Sequence, residues 1–202
     1  MQILIGTTNP SKIEYFREVL SEITTDIVTP HDLGVTGEPP ETGRTPEENA
    51  RLKAAYYGQY ADYVLCADSG LFFDALPLDD PRQPGLHVRM VNGKRLDDEQ
   101  MIEYYAALSH SLGGKALAYY LDGHAIKTPQ GIWGFQSTRE EALVWAFYML
   151  DTPCAARRAG WPLDSLAIDL EGRSFLDPGR RGEVRRGYID RLKAFLKEKL
   201  EG

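Results

Sequence analysis

Cysteine is scarce in this chain, with two residues, Cys66 and Cys154, among 202. They lie far apart and lack metal-ligand spacing, which excludes a disulfide framework and points to a reducing compartment. Cys66 falls in an apolar stretch and reads as packing. Long hydrophobic runs are missing as well, so no segment is long enough to span a bilayer. The opening Met1-Gln-Ile-Leu-Ile5 is too short for a signal peptide and has no basic flank; a cytoplasmic protein with no membrane partner is expected. Positive charge is in deficit, 23 Lys and Arg against 30 Asp and Glu, for a net charge of -7. That excludes a general nucleic-acid coat, which needs a basic surface to neutralise phosphates, and permits a local basic pocket. Repeats, low-complexity tracts and interdomain linkers are absent too. What remains is an ordinary mix, 43% hydrophobic and 26% charged, suited to one globular domain over residues 1–202.

Along the chain, Gln2 to Gly6 reads as a strand. A helix follows, with Asn9 as its N-cap, Pro10 in first position and Ile13, Phe16, Leu20 and Ile23 on its apolar face. Lys12 in the first turn opposes the helix dipole, which an anion shared with the free backbone N–H groups would explain; the alternative is a solvated surface lysine. Asp26 to Thr29 is a short strand candidate, and Gly34 to Gly43 a loop carrying Glu38 and Glu41. Thr45-Pro-Glu-Glu48 is a capping box that opens a helix from Pro46 to about Tyr60. On it Asn49 and Lys53, four apart, share a face and can point at one ligand.

Val64 to Ala67 reads as a buried strand leading into an Asp68-Ser69-Gly70 turn. A carboxylate at a strand end is well placed to face a cleft. Arg89 follows a Pro84-Gly85 turn as a further cation, and Asp97 to Leu108 is a helix. Strands are expected at Lys115 to Leu121, His124 to Thr128 and Gly131 to Phe135, joined by turns at Asp122-Gly123 and Pro129-Gln-Gly131. Thr138-Arg-Glu-Glu141 caps a helix expected to reach Leu150. Trp161 and Asp164, three apart in a Gly-Trp-Pro loop, could sandwich and hydrogen-bond a base, or simply cap a core. Leu166 to Asp169 is a possible strand. A terminal helix is expected from about Arg181, with Arg180, Arg181, Arg185 and Arg186 at its start, either around an anion or as a solvated basic face.

Cations at Lys12, Lys53 and Arg89, with carboxylates at Glu41 and Asp68, suit a polyphosphate and a metal ion. Mg²⁺ favours oxygen ligands and commonly bridges one or two carboxylates to substrate phosphates. A carboxylate that positions a water would then permit in-line attack on phosphorus.

Thr8-Asn9-Pro-Ser-Lys12, Glu41-Thr-Gly43 with Glu47-Glu48-Asn49-Ala50 and Lys53, Ala67-Asp68-Ser69-Gly70-Leu71, and Pro84-Gly85 with Arg89 resemble, in order and spacing, the motifs of the inosine/xanthosine triphosphate pyrophosphatase family. The resemblance implies an elongated, two-lobed α/β fold with a central mixed β-sheet flanked by helices and a cleft between the lobes, usually a homodimer. It implies Mg²⁺-dependent hydrolysis of a nucleoside triphosphate, such as ITP, XTP or dITP, to monophosphate and pyrophosphate. Thr8, Asn9, Lys12, Lys53, Ser69 and Arg89 would bind triphosphate, and Glu41, with Asp68, would hold the metal. Asp68 would activate water, while Trp161 and Asp164 would read the base. Pro162 and Ser165 depart from the family's base loop, and its Ser-His-Arg is absent; Arg185 and Arg186 are the nearest substitutes. The departures fall on the base-reading side. They leave room for a nucleotide-binding protein without catalysis, or for a hydrolase of modified pyrimidine nucleotides.

Overall fold

The computed structural model describes residues 1–177 and 186–201, the side chains of 186 and 187 excepted. Strand β1 (Ile3–Ile5) leads into helix α1 (Pro10–Leu20), where the Asn9 side chain accepts from the Ser11 N–H at 3.0 Å and Pro10 occupies the first position. Strand β2 (Ile27–Val28) precedes helix α2 (Pro46–Tyr57). Thr45 accepts from the Glu48 N–H, but the Glu48 carboxylate reaches past the cap residue to the Arg44 N–H at 2.6 Å, so the capping box is only half closed. Strand β3 (Val64–Phe73) follows, then a hairpin of β4 (Met90–Val91) and β5 (Lys94–Arg95) turned by Asn92 and Gly93, both at positive φ. Helix α3 (Asp98–Ser111) starts on a full capping box at Asp97. Strands β6 (Lys115–Thr128) and β7 (Gly131–Gln136), helix α4 (Arg139–Val144), strand β8 (Phe147–Leu150), a 3₁₀ turn (Pro162–Ser165), strand β9 (Ala167–Ile168) and helix α5 (Arg186–Glu201) complete the chain.

Strand β1 pairs parallel with β2 and β3, whereas β6 pairs antiparallel with β7 and β8, and β8 with β9. The class is therefore α/β with a mixed sheet flanked by helices. Three expectations fail. Asp68-Ser69-Gly70 is not a turn, because β3 runs through it to Phe73. Asp122-Gly123 is not a turn either: β6 continues to Thr128, and the reversal falls at Pro129-Gln130. Gly123 is there for space, since a Cβ would collide with the Pro46–Glu47 backbone at the start of α2. The helix from Thr138 stops at Val144. Its expected second half, rich in aromatics that suit a pleated surface, pairs as β8 with Lys115–Ala118.

The chain divides into two compact units. The first is Met1–Ser69, Asp122–Ser137 and the terminal helix; the second is Gly70–Leu121 and the chain from Thr138 up to that helix. In the first, strand parity sorts the layers, since successive side chains point to opposite faces. Ile3, Ile5, Leu65 and Ile126 pack with Phe16, Val19 and Leu20 of α1 and Leu192 and Leu196 of α5. Leu4, Val64, Cys66 and Ala125 face Ala50, Ala54 and Tyr57 of α2. In the second unit, Leu71 and Phe73 pack with Met101, Ile102 and Tyr105 of α3 and with Phe147 and Met149 of β8. No helix among the described residues is long and apolar enough to cross a membrane.

Candidate active site

The last residue of β1 with a partner on β3 is Ile5, opposite Leu65. Asp68 and Ser69 thus lie three and four residues past that pair, beyond the end of the parallel neighbour. By parity Asp68 belongs to the α2 face and Ser69 to the α1 and α5 face.

Asp68 is 9% exposed and both of its oxygens are engaged from α2. Asn49 Nδ2 donates to Oδ2 at 2.8 Å, and Lys53 Nζ donates to Oδ1 at 2.8 Å. Lys53 also pairs with Glu41 at 2.7 Å, so one ammonium joins two carboxylates. The i, i+4 spacing of Asn49 and Lys53 does converge on one group, and that group is Asp68. Burial pulls the Lys53 ammonium down, but Asp68 and then Glu41 outweigh it and leave the group above its ordinary lysine value. Asn49 is itself fixed, because its Oδ1 accepts the Gly43 N–H at 2.8 Å and ties the Glu41 loop to α2.

Lys12, in the first turn of α1, answers to the same charges. Burial drives its ammonium below the usual value and Lys53 adds to that, while Asp68, Asp122 and Glu41 act in the opposite sense. Asp122 was not expected among these residues. It is 9% exposed, and its Oδ1 accepts the Ser69 hydroxyl at 2.7 Å. In the sequence the Asp-Gly dipeptide reads as a turn, which masked its place within the long strand β6. Thr8 is exposed, and Asn9 is occupied as the helix cap.

Arg89, Trp161 and Asp164 belong to the second unit. Arg89 donates to Asp98 at 2.7 Å. Trp161 is exposed, and Asp164 is buried with its carboxylate bound by Arg158 at 2.5 Å. Arg185 lies outside the described residues. Arg186 opens α5, and its side chain is likewise outside the description.

In the first unit, then, a buried carboxylate is held between an amide and an ammonium, beside a second lysine and a helix N-terminus. Such an array can bind a polyanion through its cations and backbone N–H groups and keep one carboxylate aimed at a bound water.

The chain matches the Ham1 family over residues 3–132. It is 30% identical over 155 residues to a dITP/XTP pyrophosphatase of Bacillus subtilis, covering 66% of this chain and 76% of that one. A protein of the same name from Leptospira interrogans is 35% identical over 99 residues, 48% of each chain. Among solved structures, the Staphylococcus aureus Ham1 protein superposes with a TM-score of 0.73 at 24% identity, covering 98% of this chain and all of that one. A HAM1 protein from Coxiella burnetii gives 0.73 at 22% identity, with 98% and 99% covered. The fold and these relatives define the class, an enzyme of the α/β type that hydrolyses phosphoanhydride bonds. Within it, the chain belongs to the Ham1 family.

Proposed function

We propose that the protein hydrolyses a nucleoside triphosphate carrying a non-standard purine, of the ITP, XTP and dITP kind, to the monophosphate and pyrophosphate. The observation that carries this reading is the Asp68 carboxylate, buried and gripped on both oxygens by Asn49 and Lys53. Each carboxylate oxygen retains a second lone-pair direction, so Asp68 can still accept a proton from water. Lys12, Lys53 and the N–H groups at the start of α1 bind the triphosphate, assisted by Thr8 and the backbone near Asn9. Their charge offsets that of the phosphates and steadies what accumulates on the leaving pyrophosphate. Water attack on phosphorus breaks the phosphoanhydride bond, the water's proton passes to Asp68, and pyrophosphate departs.

The donor set fits Mg²⁺. Glu41 and Asp68 already converge on one cation, the Lys53 ammonium, and both offer oxygen only. No group of three or more His, Cys, Asp or Glu that could hold a metal occurs among the described residues, which suits a metal completed by substrate phosphates and water. When bound, Mg²⁺ would supply charge neutralisation on the phosphates. We assign base reading to Trp161 and Asp164, with phosphate contact for Arg89, and further propose a cytoplasmic homodimer; these rest on the family resemblance.

The test is product analysis by phosphorus NMR after incubation with Mg²⁺ and a panel of ITP, XTP, dITP, ATP, GTP and modified pyrimidine triphosphates. Monophosphate and pyrophosphate from the hypoxanthine and xanthine nucleotides are expected. Release of orthophosphate, or tight binding without any product, would sink the proposal.

A further inference from the structure

Asparagine is a poor helix former, because its short amide competes for nearby backbone groups. Asn49 nevertheless lies inside α2, 2% exposed, on a buried face that it shares with Ala50 and Ala54. Its amide is used at both ends. The Gly43 N–H needs an acceptor, and an ionised Asp68 can only accept. Oδ1 must therefore face the loop and Nδ2 the strand, as they do, at 2.8 Å each. Aspartate in this place would set a second carboxylate against Asp68, and serine offers one short hydroxyl instead of a donor and an acceptor.

The loop end of this link carries Glu41, two residues before Gly43. The Glu41 side chain is 58% exposed, so solvent screens its pair with Lys53 and makes that pair a weak anchor. The loop is fastened instead through its backbone. The Gly43 N–H reaches Asn49, and the next N–H, of Arg44, reaches Glu48 at 2.6 Å. The approach is close enough that a Cβ on Gly43 would stand 2.8 Å from the Asn49 nitrogen, from its Oδ1 and from the Glu48 Cβ. Glycine is needed there for space.

We propose that Asn49, approached closely by Gly43, is a positioning residue that sets Glu41 against Asp68: one buried amide holds the loop that bears the first carboxylate and an oxygen of the second. This deepens the pyrophosphatase reading and rests on it for the use of the two carboxylates, which there meet a metal carried by the phosphates.

Two readouts test the proposal in the intact chain, with circular dichroism reporting that each variant is folded. Hydrogen exchange followed by NMR is expected to show a protected Gly43 amide, and Asn49→Ala should speed its exchange by about tenfold, the worth of one hydrogen bond. Calorimetry with inorganic tripolyphosphate, alone and as its Mn²⁺ complex, is the second. Asn49→Ala should weaken binding of the Mn²⁺ complex by about tenfold or more, the range for loss of a residue that orients metal ligands. Binding of metal-free tripolyphosphate should stay within about twofold, since no cation is removed. Gly43→Ala removes no polar group, yet by lifting the loop from Asn49 it should weaken the Mn²⁺ complex in the same way. The double variant should bind it no more weakly than Asn49→Ala, because both changes break one contact. An amide with a merely structural role would lower the melting temperature and leave the Mn²⁺ complex bound as in the wild type. That result in either folded variant, or a Gly43 amide that exchanges in Asn49→Ala as it does in the wild type, overturns the proposal. If Asn49→Ala fails to fold, Gly43→Ala decides by calorimetry. Neither readout uses turnover, so failure of the pyrophosphatase reading would show separately, as a wild type without product in the nucleotide panel.

Discussion

Replacing Lys53 by Met keeps the length of the side chain and most of its apolar stem while removing the charge that joins Glu41 to Asp68. The Lys53 and Asp68 side chains are 10% and 12% exposed, so this is a buried ion pair. Removing one partner of such a pair costs about 3–5 kcal/mol, because the other charge is left unpaired. Asp68 keeps its Asn49 hydrogen bond, and the variant relieves the repulsion between Lys53 and Lys12; both place the loss at the low end, about 3 kcal/mol. The Glu41 side chain is 58% exposed, and its share is small because solvent screens it. For a chain of this size the melting temperature should fall by roughly 6–12 °C, measured by circular dichroism at neutral pH. The double variant Lys53→Met with Asp68→Asn removes the stranded charge and should recover at least half of the loss. A single variant as stable as the wild type, or a double variant less stable than the single one, would refute this account of the pair. With the Lys53 ammonium held above its ordinary value, the pair's contribution is complete below the unfolded-state lysine value and is lost only as pH rises through the folded one.

Burial pushes the Cys66 thiol up to about 12. Native protein at pH 8 should therefore yield one thiol to a colorimetric disulfide reagent, the exposed Cys154, and two in denaturant. Between an ordinary thiol value near 9 and about 12 the folded state holds a proton that the unfolded state releases, so this group's contribution to stability should fall as pH rises through that window; a flat urea midpoint there would contradict it. Gly123→Ala should destabilise by about 1–3 kcal/mol or more, the range for overpacking, because the added Cβ meets the backbone of α2. A melt within 1 °C of wild type, at roughly 2–4 °C per kcal/mol, would mean that Gly123 is not needed for space.

Much of the local structure around Asp68 was legible because its signals are local. Asn9 with Pro10 marks a helix start by capping chemistry, and the four-residue spacing of Asn49 and Lys53 marks a shared face; both hold in the structure. What escaped was non-local. Asp68-Ser69-Gly70 and Asp122-Gly123 have the composition of turns, yet each sits inside a long strand, since ladder pairing and close packing override the preference of a dipeptide for a turn. The Ser69 to Asp122 bond joins positions on two strands, and nothing in either segment announces the other. The second half of the helix expected from Thr138 became β8 for a similar reason, through pairing with residues about thirty positions earlier. The surroundings of Trp161 and Asp164, proposed to read the base, were the least legible. Asp164 is bound by Arg158, a partner that no motif supplied.

The central claim is that Asp68 takes the proton from the attacking water, and comparing the wild type with Asp68→Asn tests it most directly. Pyrophosphate release from dITP with Mg²⁺ should fall by about 10²–10⁴ in kcat, the range for loss of a general base. The variant should still fold and bind dITP, with a lowered melting temperature because the buried Lys53 loses its charged partner and the amide can accept from only one of Asn49 and Lys53. A folded Asp68→Asn variant that releases pyrophosphate at the wild-type rate would contradict the account.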